Sequence, residues 1–303
     1  MIDKFRKVRD SLALLPLLNE RIKRLEEASQ LIRMALGRVE NRQLTDRKTS
    51  GLQGVEYGVF SQWGEDGILQ HLLRQVRVPR NVFVEFGVET YTEANTRFLL
   101  MRYNWSGLVI DGSQSNVSTI KRDPIYWKYN LKAVCAFVDR DNIDSLLLEN
   151  GIKGKIGLLS VDIDGNDYWV WKAITCIQPA LVVVEYNARF GSEAAVTVPY
   201  NREFVREKAH HSCIYYGASL KAFHLLGQKK GYALVGCNSA GNNAFFVRRE
   251  LLAPPLREMT VEEAYVPCQF REARGTDGKL VFASPKEEMK ILCNLPLESV
   301  EGV

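Results

Sequence analysis

Each apolar run in the middle of this chain that reads as a strand ends on a carboxylate. VFVEFG carries Glu85 and Gly87, SGLVIDGS ends in Asp111, and AVCAFVDRDN reaches Asp139. GLLSVDIDGND closes on Asp162 and Asp164, and ALVVVEYNA on Glu185 and Asn187. A single acid of this kind is a solvated strand end or the N-cap of the following helix. Five in register suggest shared chemistry: hydrogen bonds to a polyol, uptake of a proton, or a seat for a hard divalent cation. Side chains two apart along a strand share a face. Asp162 with Asp164, and Glu185 with Asn187, are therefore expected as two oxygen pairs facing one cleft.

Positioning such a row is the task of a parallel sheet. Strands are expected near 82–87, 107–111, 131–138, 156–162 and 180–186, with helices between them, which requires crossover connections. After a helix over Ser219–Lys229, with His224 on its apolar side in a core role, YALVGCNSAGNNAFFVRRE reads as an antiparallel hairpin. Ligands of open parallel sheets bind at the carboxyl ends of the strands, where strand order reverses. Glu85 and Asp111 are twenty-six residues apart, one strand–helix–strand step, and an acid at the second strand's tip is placed for a ribose diol. A dinucleotide needs a glycine-rich cradle for its pyrophosphate. Here Gly87 stands alone, followed by Val88, Glu89 and Thr90, and Glu89 would repel phosphate. The ligand implied has a ribose and no phosphate, as S-adenosylmethionine (SAM) does.

These features resemble a class I SAM-dependent methyltransferase over roughly residues 60–249. Within that class, SQWGEDGIL and SVDIDGNDYWVWKAI are similar to segments of the FkbM-like branch. The resemblance implies an α/β, Rossmann-like seven-stranded sheet, mostly parallel with an antiparallel C-terminal hairpin. It places Glu85 and Gly87 at the methionine end of SAM, Asp111 at the ribose and Asp139 near the adenine. Thr90 and Asn95 shape the pocket in place of a glycine-rich loop, and Gly112, Ser113 and Asp162 complete the expected cofactor set.

Similarity to metal-dependent sugar and catechol O-methyltransferases implies a divalent metal (Mg2+, Mn2+ or Ca2+) on Asp162, Glu185 and Asn187. The catechol enzymes' lysine base corresponds here to Gly165, so the base is sought among Asp164, His210 and His211. The acceptor expected is a polar hydroxylated molecule, such as a sugar, a glycan of polysaccharide biosynthesis or a glycosylated natural product. Residues 188–218 would form its wall and lid. Two rivals are weighed: a glycosyltransferase using Asp162-Ile163-Asp164 as a D-x-D motif, and an inactive oligomeric scaffold.

The rest of the chain sets bounds. Its net charge is +4, and residues 1–45, with ten Lys/Arg against six Asp/Glu, supply all of it. A neutral body argues against nucleic acid as a partner. Apolar residues at Leu15, Leu18, Ile22, Leu25, Ile32, Leu36 and Val39, broken at Ser29, make a heptad seam. It suits a homo-oligomeric coiled coil, a helix folded back on its own domain or, less well, a membrane surface. Six cysteines lack any C-x-x-C pair, as in a cytoplasmic protein with reduced thiols, and no signal peptide or transmembrane helix is read. The domain plan is a helical arm over 1–45, a linker over 46–58, the catalytic domain over 59–249, and a tail or subdomain over 250–303.

Overall fold

The computed structural model describes residues 2–44 and 51–301, with side chains from Leu14 onward. The chain divides into two compact units, 1–47 and 48–303.

The larger unit is built on seven strands: β1 (Val82–Phe86), β2 (Ser106–Asp111), β3 (Leu131–Cys135), β4 (Gly154–Val161), β5 (Ile177–Glu185), β6 (Tyr232–Cys237) and β7 (Asn243–Arg248). They form one sheet in the order β3-β2-β1-β4-β5-β7-β6. β1 to β5 are mutually parallel. β7 runs antiparallel to β5, and β6 antiparallel to β7. This is the seven-stranded, mostly parallel Rossmann-like sheet expected from the sequence, including the hairpin. Helices cover both faces, so the central strands are apolar without alternation. Phe83, Val84, Leu108, Val109, Leu158 and Leu159 are all fully buried. Helix Leu220–Lys229 starts where the Ser219 hydroxyl accepts the Ala222 amide, a side-chain cap. Its buried Phe223 meets Trp171 at 6.1 Å, and Trp171 meets Phe246 of β7 at 5.1 Å. His224 of that helix is half-buried, and its Nδ1 has no hydrogen-bond partner.

Strand order reverses between β1 and β4. Their neighbouring C-terminal ends, with Glu85 beside Ser160, open the crevice that this topology reserves for a ligand.

Two expected boundaries are displaced. Of the linker over 46–58, residues 46–50 lie outside the described residues, but 51–58 is packed. Leu52 and Val55 are buried, Gln53 donates to the Cys237 carbonyl at 2.8 Å, and Glu56 accepts the Ser239 amide at 2.6 Å. Glycines and polar residues suggested a linker, while the two apolar side chains that anchor the segment were too few to register as a pattern. Residues 250–303 fall in the same compact unit as the sheet. Glu298–Ser299 pairs with Val196–Thr197, the Tyr215 hydroxyl donates to the Pro296 carbonyl, and Leu292 is buried among Phe190, Ile214 and Tyr215.

The smaller unit is one helix, Ile2–Gln43, of 42 residues with Pro16 inside it. All seven residues of the heptad seam are exposed, between 46% and 70%.

Candidate functional site

A cleft of about 480 Å³ opens at the C-terminal ends of β1, β2, β4 and β5, within the range of roughly 300–1,000 Å³ typical of small-molecule sites. Of the expected cofactor residues it is lined by Glu85, Gly87, Asn95, Asp111, Gly112 and Asp162.

The loop after β1 explains how the chain manages with one glycine. Gly87, Glu89 and Tyr91 all take positive φ, at 70°, 47° and 61°, so two ordinary residues adopt the left-handed backbone that glycine usually serves. Strain of this kind persists only where the surroundings enforce it. Here Tyr91 is fully buried and its hydroxyl meets Thr96 Oγ1 at 2.8 Å. Arg97 donates to the Tyr91 carbonyl at 2.7 Å. The Glu89 amide donates to Asp111 Oδ2 at 2.8 Å, tying the loop to the tip of β2. At Gly87 a Cβ would lie 1.6 Å from the Asp162 carbonyl oxygen. Glycine is needed there for the close approach of β1 and β4, a different reason from the approach to a ligand expected from sequence.

Glu85 is buried and accepts the amides of Asn95 at 2.8 Å and Thr96 at 3.1 Å, plus the Thr96 hydroxyl. Burial pushes its carboxyl up to about 7. Asp111 accepts the Ser113 amide at 2.8 Å and Asn116 Nδ2 at 3.0 Å on Oδ1. Only the Glu89 amide bonds Oδ2, and a carboxylate oxygen has room for a second donor.

Deeper in the cleft, ligand oxygens of Asp162, Asp164 and Glu185 lie within 4.8 Å of one another. The turn after β4, rather than strand alternation, brings the two aspartates together. Asp164 takes φ 55°, and Asp167 folds back to accept the Ile163 and Gly165 amides at 2.8 Å each. Glu185 is 6% exposed and its Oε2 has no hydrogen-bond partner. Burial, then the charge of its neighbours, raises both Asp162 and Glu185 well above the usual carboxylate range. An unpaired buried carboxylate oxygen beside two further carboxylates is the donor set that a hard cation fits. Gly165 is glycine because Phe204 fills the space: a Cβ there would lie 2.2 Å from the Phe204 ring.

Other expected residues lie elsewhere. Asn187 is fully buried with its amide spent on the Ile214 and Tyr216 carbonyls at 2.9 and 3.1 Å, and its Oδ1 accepts the Arg189 amide. It does not line the cleft, and Asp164 joins Asp162 and Glu185 in the acidic trio instead. Asp139 does not line the cleft. It caps its own turn, accepting the Asp141 and Asn142 amides, and pairs with Arg202 at 2.8 Å; Ala136, Phe137 and Val138 line the cleft in its place. His210 and His211 are not among the lining residues. His210 Nδ1 meets the Ser212 hydroxyl at 2.7 Å. Thr90 and Ser113 also fall outside the lining, and Ser113 caps helix Gln114–Arg122.

Several lining residues escaped the sequence reading. Arg206, from the expected acceptor wall, donates to Asp164 at 2.6 Å, Glu272 at 2.8 Å and the Cys213 carbonyl at 2.7 Å. It stacks 3.7 Å from the Tyr216 ring, which the Asn187 bonds hold in place. Phe270, from the segment expected as a tail, stacks on Trp63 at 5.1 Å and 16°, and Glu272 follows it into the cleft. Glu65, of SQWGEDG, accepts Asn238 Nδ2 and Asn243 Nδ2 at 2.8 Å each. Asp66 beside it accepts the amides of Val59, Phe60 and Ser61, so this motif clamps the cleft's rim.

No protein-family model matches the sequence, and no curated protein matches it. Among solved structures, the chain is similar to the N-terminal domain of EvdMO1 with S-adenosylhomocysteine (SAH) bound, at TM-score 0.40 and 12% identity, covering 60% of this chain and 79% of that one. An O-methyltransferase from Bacillus cereus in complex with SAH gives TM-score 0.39 and 13% identity, covering 72% and 89%. The CurJ carbon methyltransferase gives 0.39 and 11%, covering 65% and 56%. Likeness at this level argues nothing about activity, and the fold assignment stands on strand order and register.

Proposed function

We propose that this chain is a SAM-dependent O-methyltransferase, of FkbM-like type, acting on a hydroxyl of a sugar, glycan or glycosylated natural product. The observation that carries the reading is Asp111. It lines the cleft at the tip of β2, and its Oδ2, bonded by the Glu89 amide alone, has a lone pair for a ribose hydroxyl, next to a loop with a single glycine.

Methyl transfer is an in-line displacement. The acceptor oxygen bonds to the methyl carbon, the carbon–sulfur bond breaks with its electron pair passing to sulfur, and the hydroxyl proton needs a base. Arg206 occupies Asp164 Oδ1, and the two histidines are not in the cleft. Glu185, whose Oε2 has no partner and whose basicity is raised by burial and by Asp162, is the group assigned to take the proton. Trp63, Phe204 and Phe270 give the acceptor a partly aromatic wall, and Arg206 fixes the wall to Asp164. Asp162, Asp164 and Glu185 would hold a divalent cation, which when bound lowers the pKa of a hydroxyl beside it. The exposed heptad seam supports self-association through the arm, and six free thiols suit a reducing cytoplasm. Among the described residues no helix is long and apolar enough to cross a membrane.

The test is methyl transfer from labelled SAM to glycans of the producing cell, before and after exhaustive chelation with EDTA. Transfer that stops on chelation and returns with Mg2+, Mn2+ or Ca2+ assigns the trio to a cation. Transfer that survives assigns Glu185 as the base acting alone. Its absence in both arms, with glycan supplied, counts against the sugar acceptor.

A further inference from the structure

The charge of the cleft limits what can enter it. Among the described residues, nine carboxyl groups line it, against a single basic side chain, Arg206, and no lysine or histidine. Burial holds Glu85, Asp162 and Glu185 among them above the usual carboxylate range. Each of the three Arg206 guanidinium nitrogens already donates, to Asp164, Glu272 and the Cys213 carbonyl, and two carboxylates offset its charge. Among the described lining residues, an incoming phosphate would meet no cation other than one already paired with two carboxylates. The cleft is also lined by Glu185, a buried carboxylate whose Oε2 has no hydrogen-bond partner and which suits a ligand able to donate a hydrogen bond or bear positive charge. At the rim, burial and the neighbouring Glu89 and Glu65 raise the Glu93 carboxyl, as expected where one sign of charge dominates. A divalent cation on Asp162, Asp164 and Glu185 would not reverse this balance, because three carboxylates exceed its charge and the other acids remain.

We propose that the acceptor carries no phosphate, so that a sugar reaches this enzyme after a glycosyl transfer that has already released its nucleoside diphosphate. The proposal rests on the methyltransferase reading. Nucleotide sugars and sugar phosphates carry charge of the cleft's own sign, and surface fields of several kT suppress such encounters. A neutral or amine-bearing glycoside carries none of that penalty. The reaction that must precede this one is therefore a glycosyl transfer, and methylation acts on its product.

Trp63 allows a test that needs no knowledge of the acceptor. Trp105, Trp169 and Trp171 are 4%, 7% and 1% exposed and Trp127 is 74% exposed, so in Trp127→Phe protein Trp63 is the tryptophan that solvent reaches. Its fluorescence is quenched in parallel with iodide, caesium and acrylamide, with and without saturating Mg2+, each constant normalised to a free tryptophan amide. The expected result is iodide quenching about sevenfold weaker than caesium quenching, as a local potential of about one kT produces. Glu65→Gln/Glu272→Gln protein should narrow the gap. Equal quenching by iodide and caesium overturns the proposal, as does methyl transfer from SAM to a nucleoside-diphosphate sugar. SAH titration of the same protein separates the two levels: failure to bind SAH defeats the methyltransferase reading, whereas bound SAH with equal quenching defeats only the exclusion of phosphate.

Discussion

Glu85, Asp111, Asp162 and Glu185 look alike in sequence, each an acid at the end of an apolar run, and burial gives them different work. Glu85 spends both oxygens on the turn at Asn95 and Thr96, which makes it a stability element with a pH signature. Its folded-state value of about 7 lies above the ordinary value of 4.5 for a free glutamate. The contribution is therefore fully present below about 4.5 and is lost as pH rises through about 7. At about 1.4 kcal/mol per unit that loss is roughly 3 kcal/mol. Chemical denaturation between pH 4.5 and 8 should show this decline in the wild type and not in Glu85→Gln, whatever the offset from the lost acceptor at Thr96. Parallel slopes would contradict the assignment. On the acid side, Glu185 as base predicts that kcat/KM falls at a higher pH than an ordinary carboxylate would give, because the proton-accepting form disappears below its raised pKa. Glu185→Gln should remove most of the activity while leaving SAH binding intact. Unchanged turnover in a folded variant would exclude it.

At the scale of elements, the strands were legible because parallel strands buried on both faces are continuous apolar runs bounded by polar turns, as in ALVVVEYNA. Loops were not, because long-range contacts fix them. Asn187 follows the apolar run of β5 as a ligand would, yet it is held by carbonyls 27 and 29 residues away. Phe270 and Glu272 sit in a segment without periodicity and enter the cleft only because Trp63 and Arg206 receive them. The loop after β1 lacks glycines, but Glu89 and Tyr91 supply the same backbone geometry, a substitution no motif reveals. The arm is the opposite case: its seam was plain from spacing, and its exposure leaves a surface that an identical helix fits. Deleting residues 1–45 should convert an oligomer to a monomer in light scattering without changing the melting temperature of the sheet unit. A full-length protein already monomeric at micromolar concentration would rule the coiled coil out.

The whole molecule arranges one sheet so that its point of reversed strand order, its acidic turns and its C-terminal segment meet in one cleft. The fold follows from the sequence pattern, and so does the placement of Asp111, Asp162 and Glu185 at strand ends facing that cleft. What spacing could not convey is which carboxylates the backbone would consume and which it would leave open, since that depends on amides brought in from elsewhere. Asp139 was consumed by its own turn, whereas Asp111 kept a lone pair free. The central claim is that this free position binds the ribose of SAM. Calorimetric titration of the full-length protein with SAH tests it most directly. The account predicts a single saturable site that Asp111→Ala weakens by roughly 1.5–3 kcal/mol, the range for a hydrogen bond to a charged group, in a variant that remains folded. Undiminished SAH affinity in that variant would remove Asp111 from the site. No SAH binding by the folded wild type, with a nucleotide sugar bound instead, would contradict the account itself.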